Sequence, residues 1–208
     1  MVGKTSITTR FIKGKFMKIE VKNRTINASC FQKSVEVNNK LYNLNIWDTA
    51  GEEKYHALAP IFFRGAQGAV IIFDITNRET FNRAKKWFNE LKQYTEGNPQ
   101  IILVGNKIDL PNKAITNEEA TKLAREYNCK FLEVSALLGT NVNEIFYNLA
   151  DAIHQQRKKD RKEKMDNFDE VNSGSNSNYG SNRGKKLQID DINENHKTTT
   201  NNRKDSCC

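Results

Sequence analysis

The stretch QIILVGNKID at residues 100–109 sets the architecture. Its apolar run does not alternate with polar residues, as a strand with one wet face would. A short unbroken run is what a strand buried on both faces shows, and strands of parallel sheets are buried that way. GAVIIFDIT at 68–76 and KFLEVSA at 130–136 repeat the pattern. Between these runs apolar residues recur at helical spacing: Phe81, Ala84, Trp87, Phe88 and Leu91, then Ala120, Leu123, Ala124 and Tyr127, then Val142, Ile145, Phe146, Leu149 and Ile153. Thr116 with Glu119 has capping-box spacing, and Asn141 with Glu144 a looser version. Upstream, SVEVNN and LYNLNIWDT read as two strands joined by a turn at Asn38-Asn39-Lys40, a β-hairpin. The expected fold is α/β, a mixed, mostly parallel sheet with helices on both faces and ligands at the carboxyl ends of its strands.

The bulk properties bound what such a domain does. The chain has 208 residues, a 37% hydrophobic share and a net charge of +8. That charge suits nucleic acid or an anionic membrane, yet no aromatic or groove-reading feature accompanies it, so no nucleic-acid partner is expected. The longest apolar runs, such as AVIIF at 69–73, are too short to cross a bilayer, and the first residues carry no secretory-signal pattern. Cys30, Cys129 and the pair Cys207-Cys208 make no disulfide framework, which points to reduced thiols and a cytosolic chain. From Gln155 the character changes: QQRKKDRKEK is a highly charged helix extension, and NSGSNSNYGSNRG is low-complexity polar sequence. The organisation read from this is a domain over 1–154 and a largely disordered tail over 155–208, too poor in apolar residues to offset the entropy of ordering.

Four short motifs fall at strand ends or helix starts. In Gly3-Lys4-Thr5, glycine lets backbone N–H groups approach a phosphate, Lys4 supplies a point charge and the Thr5 hydroxyl can reach Mg²⁺. Alone, the triplet is also an ordinary helix start. In WDTAG at 47–51, Asp48 can hold a metal through water and Gly51 can offer its N–H to a terminal phosphate. A capped turn after a strand would look the same. In GNKID at 105–109, Asp109 can accept from the N1–H and 2-amino group of guanine, while Asn106 and Lys107 brace the loop and cover the base. Adenine cannot donate that pair, so such a carboxylate selects the nucleotide. In Ser135-Ala136-Leu137 a backbone N–H can meet the guanine O6. Together, in this order, the four outweigh their separate bland readings.

With these motifs the chain resembles the Ras-like small GTPases, a P-loop fold, and within them the Rab branch, from Val2 to about Gln155. NLNIWDTAG, FFRGA at 62–66 and IIFDIT at 71–76 carry the likeness. YHALAPIFFRGAQ, DITNRETFNRAKKW and TNVNEIF make it most similar to the endosomal Rab-five group, with the Rab-twenty-one group next. The resemblance implies a GTP/GDP switch acting in endocytic vesicle docking and fusion. Gly3, Lys4, Thr5 and Ser6 would hold phosphates, with Phe16 on the guanine edge. Thr5, Thr25 and Asp48 would serve Mg²⁺, and Gly51 and Glu52 hydrolysis. Cys30, Trp47 and Phe62 would face effectors. Cys207 and Cys208 would carry prenyl groups that hold the protein on the cytoplasmic face of endosomal membranes, two chains being what stable anchoring takes. The implied partners are an exchange factor, a TBC-type GTPase-activating protein, the Rab escort protein, the GDP-dissociation inhibitor and endosomal effectors.

Five departures from the family pattern accompany the resemblance. The front of the phosphate loop and the first strand have no counterpart in the chain, from which an incomplete start, poor folding and poor nucleotide retention are expected. Glu52 stands where a water-orienting glutamine is usual, adding negative charge near a γ-phosphate, so altered or slower hydrolysis is expected. Between Phe16 and Thr25 the chain is about two residues longer than in close relatives. Cys30 replaces an aromatic of the effector-facing triad, and Leu137 a lysine over the base. A prenylated binding protein that does not cycle is the alternative reading.

Overall fold

The computed structural model describes residues 1–17, 28–51, 59–95 and 97–173. It divides into two units, Met1–Asn167 and Phe168–Cys208. Of the second, only the residues up to Ser173 are described, as the end of a helix. Thr25, Glu52, Cys207 and Cys208, and the low-complexity tail from residue 174, lie outside the described residues.

The chain opens with α1 (Lys4–Lys13), followed by β1 (Ser29–Val37) and β2 (Lys40–Asp48). The short α2 (Ala59–Phe63) comes next, then β3 (Gly68–Asp74) and α3 (Arg78–Tyr94). The remainder is β4 (Gln100–Asn106), α4 (Asn117–Glu126), β5 (Lys130–Val134) and α5 (Val142–Ser173). β3, β4 and β5 form a parallel sheet in that order. β1 and β2 pair antiparallel in a sheet of their own. Among the described residues no strand pairs β2 with β3.

The unbroken apolar runs are explained by a core on each face of the parallel sheet. Ile102 and Val104 of β4 join a cluster with Ile7 and Phe11 of α1, Val35 and Val37 of β1, and Ile145 and Phe146 of α5. Leu103, between them, points the other way, into a cluster with Phe73 of β3, Phe81, Ala84 and Phe88 of α3, and Leu123 of α4. Successive side chains of a strand take opposite faces, so both sets must be apolar. Each fully buried side chain of this size contributes roughly 1.5–3 kcal/mol. Phe11 and Phe146 stack at 3.8 Å between ring centroids.

The hairpin turns at Asn38 and Asn39, both with positive φ (52° and 57°), the left-handed pair that a two-residue turn requires and asparagine tolerates. It is fastened to the helices by side chains rather than by a ladder. Lys33 Nζ donates to the Phe11 carbonyl at the end of α1 and lies over the Phe11 ring. The Tyr42 hydroxyl bonds His154 Nδ1, and Asn38 Nδ2 donates to Asp151 Oδ1 at 2.7 Å, both on α5.

Thr116 makes the expected capping box with Glu119 at the start of α4. Asn141 does not make one at α5. Its backbone is left-handed (φ 57°), and its side-chain nitrogen donates to the Glu133 carbonyl at 2.9 Å, so the residue closes the β5–α5 turn instead. α5 runs without interruption through the charged QQRKKDRKEK segment, where Gln156 donates to Asp160 one turn on.

Candidate functional site

The strand ends β2, β3, β4 and β5 and the start of α1 converge. Gly3 caps α1 in the left-handed region (φ 90°) with no side-chain cap bond, the kind of helix start that suits an anion. A Cβ on Gly3 would lie 2.5 Å from Asn106 Nδ2, so both the φ and the neighbour demand glycine here.

Asn106 is the hub. It is 2% exposed at the end of β4. Its Nδ2 donates to the Val2 carbonyl at 2.9 Å, and its Oδ1 accepts from the Ala136 N–H at 3.1 Å. One buried amide therefore ties the Gly3-Lys4-Thr5 turn, the GNKID loop and the Ser135-Ala136-Leu137 turn together. The Ser135 hydroxyl donates to Asp109 Oδ1 at 2.5 Å and accepts from the Leu138 N–H at 3.0 Å. Asp109 keeps its second oxygen for a ligand. Because Asn106 takes the Ala136 N–H, the Leu137 N–H is the one in this turn without a protein acceptor. Leu137 itself is half exposed.

Lys107, left-handed at φ 73°, braces its loop against the neighbouring strand. Its ammonium pairs with Asp74 at the end of β3, and Asp74 also accepts from the Thr76 N–H at 3.0 Å and the Thr76 hydroxyl at 2.7 Å. Burial alone would raise the Asp74 pKa, but these bonds from Lys107 and Thr76 outweigh it and hold the carboxyl below its ordinary value. Sequence reasoning missed Asp74. Its one signal was a carboxylate at the mouth of an otherwise apolar strand.

The phosphate-side residues meet differently. A Cβ on Gly51 would sit 2.7 Å from Lys4 Nζ, so the glycine after β2 lies against the lysine of α1. Asp48 is 4% exposed, and neither of its carboxylate oxygens has a well-formed hydrogen bond. Burial pushes its pKa up, more than the nearby Thr5 hydroxyl and the Lys4 charge pull it down. Burial likewise lowers the Lys4 pKa, with Asp48 opposing. Two opposite charges thus sit close together, each poorly solvated. A buried carboxylate short of well-formed hydrogen bonds, with a threonine hydroxyl close by, is the donor set that a hard divalent cation takes, so Asp48 and Thr5 fit Mg²⁺. Among the described residues no group of three His, Cys, Asp or Glu side chains forms a metal cluster of its own.

A cavity of about 410 Å³ opens beside this centre, lined by Gly3, Lys4, Thr5, Ser6 and Gly51 at one end and by β3 and Trp87 at the other. Phe16 is half-buried against the cluster around Phe11. Cys30 pairs across the hairpin with Trp47, whose ring lies 5.4 Å from that of Phe62. Trp47 is half exposed, so the three form one exposed face. Burial raises the thiol of Cys129 to about 11, which leaves it unreactive.

A family model described as the Ras family matches residues 1–155. The chain is 48% identical over 151 residues to "Ras-related protein Rab5" of Nicotiana tabacum, covering 71% of this chain and 74% of that protein. It is 46% identical over 151 residues to "Ras-related protein RABF2b" of Arabidopsis thaliana, with the same coverage. It is 43% identical over 156 residues to "Ras-related protein Rab5A" of Oryza sativa subsp. japonica, covering 74% and 75%.

Proposed function

The chain belongs to the Ras family, and from that premise we propose that it is a Rab-type GTPase, a guanine-nucleotide switch of endosomal vesicle trafficking that hydrolyses GTP to GDP. The observation that carries this is the Asn106 hub, which holds the phosphate turn and the two base-recognition turns in one site. The non-cycling alternative is not favoured, because the family model and the Rab-type relatives support the switch.

The roles follow from the chemistry. Asp109 reads the guanine N1–H and 2-amino group, the Leu137 N–H meets O6, and Phe16 borders the base. Lys4 and the amides of Gly3 to Ser6 hold the β- and γ-phosphates. Asp48, Thr5 and Thr25 serve Mg²⁺, which when bound neutralises phosphate charge. Gly51 senses the γ-phosphate beside Lys4, and Glu52 orients the attacking water. Because Glu52 is a carboxylate, Glu52→Gln is expected to change the single-turnover hydrolysis rate. An unchanged rate would remove Glu52 from the mechanism.

Effectors read the Cys30–Trp47–Phe62 face, and an exchange factor, a TBC-type activating protein, the escort protein and the GDP-dissociation inhibitor act on the cycle. No helix of the described residues is long and apolar enough to cross a membrane. Attachment runs instead through prenyl groups on Cys207 and Cys208 at the end of the 155–208 tail, outside the G domain of 1–154.

The test is to denature the purified chain and quantify released guanine nucleotide, then to titrate fluorescent GDP against GTP, ATP and XTP. Stoichiometric guanine nucleotide and competition by GTP but not ATP are expected. Asp109→Asn should move the preference toward XTP, because an amide can donate to the xanthine 2-oxo group. An empty protein, or equal competition by ATP, overturns the reading.

A further inference from the structure

Arg10 lies on α1 two turns beyond the phosphate turn, and none of the motifs includes it. Its Nη2 donates to the Leu138 carbonyl at 3.1 Å, across 128 residues of sequence. Its guanidinium also lies against Gly139: a Cβ there would stand 2.6 Å from Nη2, 2.9 Å from Nε and 3.1 Å from Cζ. Gly139 is left-handed (φ 85°) and its N–H donates to the Ser135 carbonyl at 2.8 Å. The Ser135 N–H in turn donates to the Thr140 carbonyl at 3.1 Å. Its φ favours glycine here, and the missing Cβ lets the flat cation rest directly on the turn. Arg10 thus touches the far wall of the turn whose near wall, through Ser135, holds Asp109.

We propose that Arg10 is a positioning residue for guanine recognition: it clamps the Ser135–Gly139 turn to α1, so that the helix carrying the phosphate site also fixes the carboxylate that reads the base. The proposal rests on the nucleotide reading above. α1 is tied to the base loops at both ends, by Val2 to Asn106 at its start and by Arg10 to Leu138 near its finish. Removing the second tie lets the turn pivot about Asn106. Ser135 then no longer holds Asp109 at the distance that a two-hydrogen-bond contact with guanine needs. Only a planar guanidinium makes both contacts, the hydrogen bond and the flat packing on Gly139.

The experiment compares wild type, Arg10→Ala, Arg10→Gln and Arg10→Lys. Alanine and glutamine are good helix formers, so α1 itself is not weakened. Dissociation of fluorescent GDP and IDP is measured, IDP lacking the 2-amino group that Asp109 reads. Amide hydrogen exchange at Leu138 and Gly139 is followed in the same proteins. Arg10→Ala and Arg10→Gln are expected to speed GDP release roughly five- to tenfold, the range for losing one solvent-exposed hydrogen bond of ordinary net strength. They should narrow the GDP-over-IDP preference and speed exchange at the two amides. Arg10→Lys keeps a donor without the flat contact and should recover part of each. Faster exchange with GDP and IDP released in unchanged ratio would reduce Arg10 to a stabilising contact and overturn the proposal, as would no change at all. Wild type without saturable GDP binding overturns the nucleotide reading itself and the proposal with it, and that arm is read before any variant.

Discussion

The two ends of the nucleotide site are built on opposite principles. At the base end every buried polar group has a partner: Asn106 bonds Val2 and Ala136, Ser135 bonds Asp109, and Lys107 with Thr76 satisfies Asp74. At the phosphate end Asp48 is buried without a well-formed bond, and Lys4 shares its poor solvation. A satisfied network is rigid and selective before the ligand arrives. An unsatisfied pair of buried charges costs stability until a ligand supplies the missing partners. On the proposed reading, the base end sets which nucleotide binds. On the same reading, the phosphate end makes folding depend on occupancy, as expected for a switch whose order follows its ligand.

Asn106→Ala should be the most damaging change at the base end. It strands the Val2 carbonyl and the Ala136 N–H and unties three loops, at about 2–4 kcal/mol by chemical denaturation. A loss under about 1 kcal/mol would mean the loops hold one another without the hub. Asp48→Asn at the phosphate end should act in the opposite sense. Removing a carboxylate whose burial outweighs what Thr5 and Lys4 return is expected to stabilise the nucleotide-free protein by roughly 1–3 kcal/mol while weakening Mg²⁺-dependent GTP affinity. If the free protein is destabilised instead, Asp48 is better partnered than the geometry indicates.

pH separates the two ends further. The folded-state pKa of Asp48 is raised, so its penalty is full above that value and fades as pH falls toward the ordinary carboxylate range. The stability gap between wild type and Asp48→Asn should accordingly close on acidification. Asp74 is lowered, so its contribution is present above the unfolded value and is lost only as pH falls through the folded one. Lys107→Ala, which leaves Asp74 buried with Thr76 alone, should cost about 1–3 kcal/mol at neutral pH and less in acid. A cost that does not vary with pH would assign it to packing of the lysine stem. Thr116→Ala, distant from both ends, removes a helix cap and should cost about 1 kcal/mol without altering nucleotide affinity. Any change in GDP release from that variant would show that α4 is coupled to the site.

Much of this was legible beforehand. The runs around Val70, Leu103 and Leu132 announced a sheet covered on both faces, and the Asn38-Asn39 pair announced the hairpin. The four motifs named residues that the structure gathers at neighbouring strand ends and at the start of α1. Asn141 misled because spacing alone cannot distinguish a cap from a turn residue. Its side chain donates to the Glu133 carbonyl instead of accepting from the first N–H groups of α5. Asp74 and Arg10 were silent because each acts on a loop remote in sequence, through a backbone atom or a charge that no local pattern encodes.

The sequence by itself determined which segments become strands and helices, because periodicity and turn chemistry act over a few residues. It also determined which residue types are available for phosphate, metal and guanine. Only the tertiary structure decided how they are joined. The Asn106 amide spans 104 residues to Val2, the Arg10 guanidinium 128 to Leu138, and the Lys107 ammonium 33 to Asp74. Such bonds form only after the sheet has fixed where each strand ends. Whether a buried charge such as Asp48 finds a partner is likewise settled by the packed surroundings and not by its neighbours in the chain.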